Sequence, residues 1–217
     1  MSITSKEYGE RIKELIRLAI DTSKPRKYVQ SVELIVTFSG VDVKKQQEFR
    51  FRDTVFLPKG LGKNNKICMV LDDTQVQRAT ELGVYRAIGK SELSKIDKKT
   101  AKKIAQECDW VLVRADLMGL AGRVLGPALG PRGKAPIAIP PTASIESIVA
   151  QYRNATRLHS KEQPWVGCRI GTVKMSIEDL TENAIAVLHY IEEKIKRPLL
   201  QVARIYVKTT SSPALEL

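Results

Sequence analysis

Histidine, cysteine and aromatic residues are scarce in this chain, and each shortage closes off a class of chemistry. Only two histidines, His159 and His189, occur among 217 residues. Neither has a second histidine or a cysteine at ligand spacing, so no zinc centre is expected. Three cysteines, Cys68, Cys108 and Cys168, stand 40 and 60 positions apart. That spacing fits neither a disulfide framework nor a metal cluster, and the odd count predicts a reducing compartment. No Ser/His/Asp or Cys/His set can be picked out. The acidic pairs Asp72-Asp73 and Glu192-Glu193 fall on predicted turns and helix surfaces, where solvated charge is the default. No apolar run approaches the ~18 residues that span a bilayer. Met1-Ser2-Ile3-Thr4 leads into an amphipathic helix rather than into the charged and apolar regions of a signal peptide. These absences together predict a soluble, intracellular protein, and no cofactor is expected.

Two glycine-lysine pairs, Gly62-Lys63 and Gly133-Lys134, invite comparison with a nucleotide phosphate loop. Leu57 and Ala128 stand where that loop needs its first glycine, and Asn64 and Ala135 replace the hydroxyl that holds magnesium. A phosphate loop is not expected at either place.

What the chain has in excess is positive charge. Thirty-six Lys+Arg against 24 Asp+Glu give a net +12, which points to a polyanion partner, with nucleic acid favoured over an anionic membrane. The excess is spread along the chain: +4 over residues 1–62, +6 over 63–153 and +2 over 154–217. No segment is a detached basic tail, so a shaped RNA or DNA site is favoured over nonspecific coating. With 43% hydrophobic residues, the chain can bury a core of its own.

Thr4 and Glu7 have capping-box spacing, and Ile12, Leu15, Ile16, Ala19 and Ile20 then share one helical face. Lys24-Pro25 ends that helix. Val32, Leu34, Val36 and Phe38 alternate as a strand, and Phe49 to Leu57 is a second β-rich run. Pro58 to Asn65 is expected to be a linker. Beyond it the texture changes. Short apolar runs at Ile67–Leu71, Val84–Ile88 and Trp110–Val113 alternate with helical stretches over 74–82, 97–108, 117–125 and 144–152. That alternation predicts a three-layer α/β unit with a parallel sheet. Three glycines and five prolines crowd residues 126–141, a stiff loop presenting Arg132 and Lys134. It could brace its own domain or lie near phosphates.

From about residue 154 the first texture returns. Val166, Cys168 and Ile170 alternate as a strand, and Ser176 with Asp179 caps a long helix. Ala203, Ile205 and Val207 form a closing strand, and His159 falls in a polar loop. The expected fold is α/β: a discontinuous α+β domain, residues 1–62 and 154–217, with an inserted Rossmann-like α/β domain, residues 63–153. Crossings near Gly60–Asn65 and Asn154–Gln163 would let the two move. Arg26, Lys27, Arg169, Lys174, Arg204 and Lys208 all lie on or beside strands of the discontinuous domain, with Tyr28 and Tyr206 among them. Basic side chains that hold phosphates and aromatics that stack on bases suit RNA.

Two segments, Lys24-Pro25-Arg26-Lys27-Tyr28-Val29-Gln30-Ser31-Val32-Glu33 and Leu125-Gly126-Pro127-Ala128-Leu129-Gly130-Pro131-Arg132-Gly133-Lys134, together resemble the ribosomal protein L-one family of large-subunit stalk proteins, archaeal type. Asp179 to Ala184 and Tyr206 to Thr210 extend the resemblance over nearly the whole chain. It implies a split RNA-binding domain and an inserted Rossmann-like domain, working as a monomer within the cytoplasmic ribosome. It also implies binding of stalk-region rRNA of the large subunit, help in releasing exit-site tRNA, and repression of the protein's own mRNA. The family's aromatic-x-x-Thr/Ser-x-Glu pattern matches Tyr28, Ser31 and Glu33. Its glycine turn matches Gly171, with Lys174 just beyond. Its closing Thr-Thr-Met-Gly begins as Thr209-Thr210 and departs to Ser211-Ser212, which adds a β-carbon where backbone is to approach RNA. The implied RNA site is therefore Arg26, Tyr28, Ser31, Glu33, Arg169, Gly171, Lys174, Lys208, Thr209, Thr210 and Ser211, with Arg132 and Lys134 as second-domain contacts. Two rivals remain at this level. One is a nucleotide-using enzyme built on the α/β insert; the other is a regulator acting on messenger RNA alone.

Overall fold

A computed structural model describes residues 6–160 and 162–217. Thr4 of the expected capping box lies outside them. The chain divides into two compact units, one of residues 1–63 with 154–217, the other of residues 64–153.

The split unit holds one antiparallel sheet of six strands. Its elements are α1 (Lys6–Asp21), β1 (Ser31–Phe38) and β2 (Arg52–Phe56) from the front of the chain. The insert's β3 (Ile67–Leu71), α2 (Val76–Glu81), β4 (Arg86–Gly89), α3 (Lys90–Leu93), α4 (Lys98–Glu107), β5 (Trp110–Arg114), α5 (Met118–Leu129), β6 (Ile137–Ile139) and α6 (Ile145–Arg153) follow. The split unit is then completed by β7 (Ala155–His159), β8 (Trp165–Thr172), α7 (Ile177–Ile195), α8 (Leu199–Val202), β9 (Ala203–Thr209) and β10 (Leu215–Glu216). The strand order is β10-β9-β1-β8-β7-β2.

Strict alternation decides which way this sheet faces. Along β1, Val32, Leu34, Val36 and Phe38 are buried while Ser31, Glu33, Ile35 and Thr37 are half-exposed. The buried set packs with Ile12 and Ile16 of α1 and with Leu180, Ala184, Val187, Leu188 and Ile191 of α7 in one core. Each fully buried aliphatic side chain contributes roughly 1.5–3 kcal/mol. Ser176 caps α7 as its spacing predicts, its Oγ accepting from the Asp179 amide at 3.1 Å. The opposite face of the sheet carries Arg169, Glu33, Arg204, Tyr206 and Lys208.

The insert is a parallel sheet in the order β4-β3-β5-β6. β3 is buried along its full length, because helices cover both faces. Cys68, Val70, Val111 and Val113 pack with α4 and α5. On the other face the Trp110 ring meets Tyr152 of α6 edge-on at 5.3 Å, and Arg78 of α2 pairs with Glu146 of α6 at 2.8 Å.

Three expectations need correction. The crossing expected near 154–163 contains a strand: β7 follows α6 after one intervening residue and pairs with β2 over five positions, from Arg52↔His159 to Phe56↔Ala155. His159 is thus a strand residue, and the sheet has six strands where the sequence indicated four. Second, the Gly-Pro stretch is helical at its start. α5 runs through Gly126 and Pro127 to Leu129, because Leu125, Ala128 and Leu129 are buried in the core. Pro127 withholds one amide from the helix but keeps its ring on the exposed side. Gly133, at φ +66°, then stops the chain's helical course. Third, Cys68 and Cys108 form a disulfide, with Cα atoms 5.8 Å apart. The 40-residue gap is bridged because the end of α4 returns the chain beside β3 just before β5 pairs with it. Cys168 is the free cysteine; burial pushes its thiol up to about 12, so it stays protonated and unreactive at neutral pH.

Closing a 40-residue loop stabilises the insert by about 4 kcal/mol in the chain-entropy account. A strong reductant that reaches both buried sulfurs should therefore lower the melting temperature of the protein, and mass analysis should find one disulfide before treatment. An unchanged melt after verified reduction would show that the cross-link constrains little.

Candidate nucleic-acid interface

β1 runs antiparallel to both β8 and β9, so its first residue lies beside the last residues of its neighbours. Ser31 pairs with Thr172, and Val32 with both Gly171 and Thr209. One end of the sheet thereby gathers residues from positions 26–33, 169–174 and 208–212. The register shifts between Val32 and Glu33 where β1 meets β8, a bulge that re-aims the strand at this end.

A buried polar knot sets the height of the final turn. Gln30 is 5% exposed; its amide nitrogen donates to Lys24 O at 2.8 Å, and its Oε1 accepts from the Ser211 amide at 2.9 Å. The Thr209 hydroxyl donates to Ser23 Oγ at 2.8 Å and accepts from the Ser212 amide at 3.1 Å. Ser212 Oγ accepts in turn from the Thr209 amide at 2.8 Å and donates to Pro213 O at 2.9 Å. Thr210 and Ser31 close the strand ends reciprocally, amide to carbonyl at 3.1 Å and Ser31 amide to Thr210 Oγ1 at 3.0 Å.

Above that knot lie the exposed groups. Tyr28 is 55% exposed, with its hydroxyl 3.4 Å from Ser211 Oγ, which also accepts from Arg26 Nε at 3.0 Å. Beside them a surface pocket of about 490 Å³ is lined by Arg26, Lys27, Tyr28, Gln30 and Lys174, among others. Glu33 lies between two cations, paired across the sheet with Arg169 on one side and Lys208 on the other. Lys208 Nζ is 3.6 Å from its carboxylate. The flanking cations offset its charge, so an acceptor for ribose hydroxyls or base amino groups can face a polyanion.

The structure thus brings together Arg26, Tyr28, Ser31, Glu33, Arg169, Lys174, Lys208, Thr210 and Ser211. Two further residues of the implied site are there in a different capacity. Thr209 is fully buried, holding the turn from beneath. Gly171 is also buried, and a β-carbon on it would meet Leu180 Cδ2 and come within 2.7 Å of Met175 Sδ, so glycine here lets α7 pack against the sheet. The Ser211-Ser212 departure causes no backbone strain: among the described non-glycine residues only Lys196 has positive φ.

In the insert, Lys134 donates to the carbonyls of Ala105, Gln106 and Cys108 at 3.1, 3.4 and 2.6 Å. Its ammonium caps the C-terminal end of α4, where cations are favoured. Arg132 is exposed and donates to Ala128 O at 3.1 Å. At the carboxyl ends of β3 and β5, where open parallel sheets bind nucleotides, Arg114 is held by Asp116 at 2.6 Å and Asp72 at 3.0 Å. Acidic side chains surround its guanidinium there, an unfavourable setting for phosphate.

Sequence reasoning missed Gln30. The available signal was parity: residues 32, 34, 36 and 38 are the buried set, so a glutamine at 30 extends the core side of the strand with a polar group. It also missed Arg157 and Arg52, which β7 and β2 place on the same face as Arg169.

A polar knot and an open face of basic and aromatic groups at one end of an antiparallel sheet have the chemistry that suits nucleic acid, and comparison with known proteins names the family of the chain. The model of the Ribosomal protein L1p/L10e family matches residues 19–213. The chain is 49% identical over 208 residues to the large ribosomal subunit protein uL1 of Staphylothermus marinus, covering 96% of each. It is 44% identical to the protein of that name from Aeropyrum pernix, covering 95% of this chain and 94% of the relative. The chain belongs to the Ribosomal protein L1p/L10e family.

Three substitutions separate the buried supports from the surface. Thr209→Ala should cost about 1–3 kcal/mol of stability by leaving buried partners unpaired, and Gly171→Ala a similar ~1–3 kcal/mol by overpacking. Ser211→Ala should change stability by no more than about 0.5 kcal/mol. Denaturant unfolding of the three variants checks the order.

Proposed function

We propose that this protein is a structural constituent of the large ribosomal subunit, as its relatives are by name, and that the split unit binds stalk-region rRNA. The observation that carries this is the convergence of Arg26, Tyr28 and Ser211 in one hydrogen-bonded group beside Glu33, Arg169 and Lys208. Phosphate is met by the arginines and lysines, a base face by Tyr28, and ribose or base donors by Glu33 and the Ser31 and Thr210 hydroxyls. Because these groups rest on a buried knot, the RNA is recognised by its shape, with little ordering of protein on binding. The protein performs no catalysis. The finer proposal keeps the remaining partners: exit-site tRNA, whose release the stalk assists, and the protein's own mRNA, which it represses through a similar RNA fold. In that assembly the protein acts as a monomer, in the cytoplasm.

Binding to a stalk-region rRNA fragment, measured across a salt series against an unrelated duplex of equal length, tests the central claim. Selective binding with a shallow salt slope is expected. Equal binding of both RNAs, with affinity falling by about 0.7–0.9 log per phosphate neutralised, would reduce the site to a nonspecific cation surface. Tyr28→Ala should weaken fragment binding by about 1–3 kcal/mol through lost stacking, with the melting temperature unchanged, since this ring is 55% exposed. Co-sedimentation with large subunits separates a ribosomal constituent from a regulator of messenger RNA alone.

A further inference from the structure

The insert carries more net positive charge than either flank of the split unit, and one helix concentrates it. Between residues 95 and 103 stand Lys95, Lys98, Lys99, Lys102 and Lys103 against a single acid, Asp97. All five lysines are exposed, and no ammonium among them has an ion-pair or hydrogen-bond partner among the described residues. The Asp97 carboxylate is taken up as the helix cap, accepting from the Thr100 amide at 2.9 Å.

Packing does not call for these lysines. α4 buries Ala101, Ile104 and Ala105, and any long polar residue would serve on the other side. At 3.6 residues per turn, Lys98, Lys99, Lys102 and Lys103 fall within an arc of about 140°. Local electrostatics opposes the arrangement: Lys98 with Lys102 and Lys99 with Lys103 are like-charge i,i+4 pairs. Lys98 and Lys99 also begin the helix, where its dipole disfavours cations. A folded face that carries unrelieved repulsion is complementary to a polyanion. The only other residue in the exposed arc is Gln106, so no apolar side chain is there to enter a bilayer interface and no aromatic to stack on bases.

We infer that the exposed face of α4 is a second RNA-binding surface, which grips the phosphate backbone of an RNA duplex without reading its sequence. It is built wholly within the insert, from residues other than those of the Tyr28 site.

The test uses the full chain and a variant with Lys98→Gln, Lys99→Gln, Lys102→Gln and Lys103→Gln. Each is titrated with a labelled RNA duplex of unrelated sequence over a salt series, both free and carrying one equivalent of unlabelled stalk-region fragment. The wild type should bind the duplex in both states. Its log–log salt slope should be steeper than the variant's by about 3.6, the contribution of four phosphates, with at least roughly a tenfold loss of affinity in the variant at low salt. Selection of the stalk fragment should be unaffected, and the variant should melt no lower than the wild type. If it does melt lower, Lys99→Gln and Lys102→Gln taken singly carry the comparison, each expected to flatten the slope by just under 1. An unchanged duplex affinity and slope would overturn the proposal, as would a wild type that prefers phosphatidylserine vesicles to the duplex at equal salt. Because the duplex titration is also run on fragment-free protein, failure of stalk-fragment selection leaves this outcome readable.

Discussion

The position of β1 between β8 and β9 is the constraint on which the split unit depends. Each strand of this triplet comes from a different stretch of chain, and their hydrogen bonds bring residues 31, 172 and 209 to one end. That single register decides two things together. It turns Val32, Leu34 and Val36 towards α1 and α7, and it turns Glu33 into the gap between Arg169 and Lys208. A slip of one residue would expose the core set and bury the carboxylate, so fold and binding face cannot be altered independently.

The exposed groups rest on a network that is largely buried, with Ser23 half-buried at its edge. Gln30, Thr209, Ser212 and Ser23 satisfy one another and hold the turn bearing Thr210 and Ser211 at a defined height. Such networks are costly when half-satisfied and rigid when complete. The serine pair that departs from the family's Met-Gly is absorbed here: Ser212 becomes a member of the knot, and Ser211 becomes the joint between Arg26 and Tyr28.

Much of this was legible in the sequence, and its failures have physical causes. The two long helices and the central strand announce themselves by periodicity, as does the alternation of the insert. β7 escaped because Ala155-Thr156-Arg157-Leu158-His159 mixes charge with small residues, and its strand state is imposed by pairing with β2. The helical part of the Gly-Pro segment escaped because glycine and proline signal turns locally, whereas Leu125 and Leu129 hold that turn through burial. The disulfide escaped because sequence spacing says nothing about two chain segments folded side by side. The site residues came from resemblance. Their division into exposed contacts and buried supports was readable only by continuing the inside–outside parity of β1 and β9 past their apolar residues, to Gln30 and Thr209.

The split has a consequence for synthesis. The insert is contiguous and can complete its sheet as soon as residue 153 has left the ribosome, but β1 must wait for β8 and β9. At about 5–20 residues per second, the 171 residues between Phe38 and Thr209 take roughly 10–30 s to make. Throughout that interval Val32-Glu33-Leu34-Ile35-Val36 is a β-prone apolar run with both edges open, the kind of segment that pairs with other copies of itself. Glu33, the single charge within it, is the one residue there that resists such stacking. The carboxylate that sits between Arg169 and Lys208 in the finished sheet therefore also guards the nascent chain.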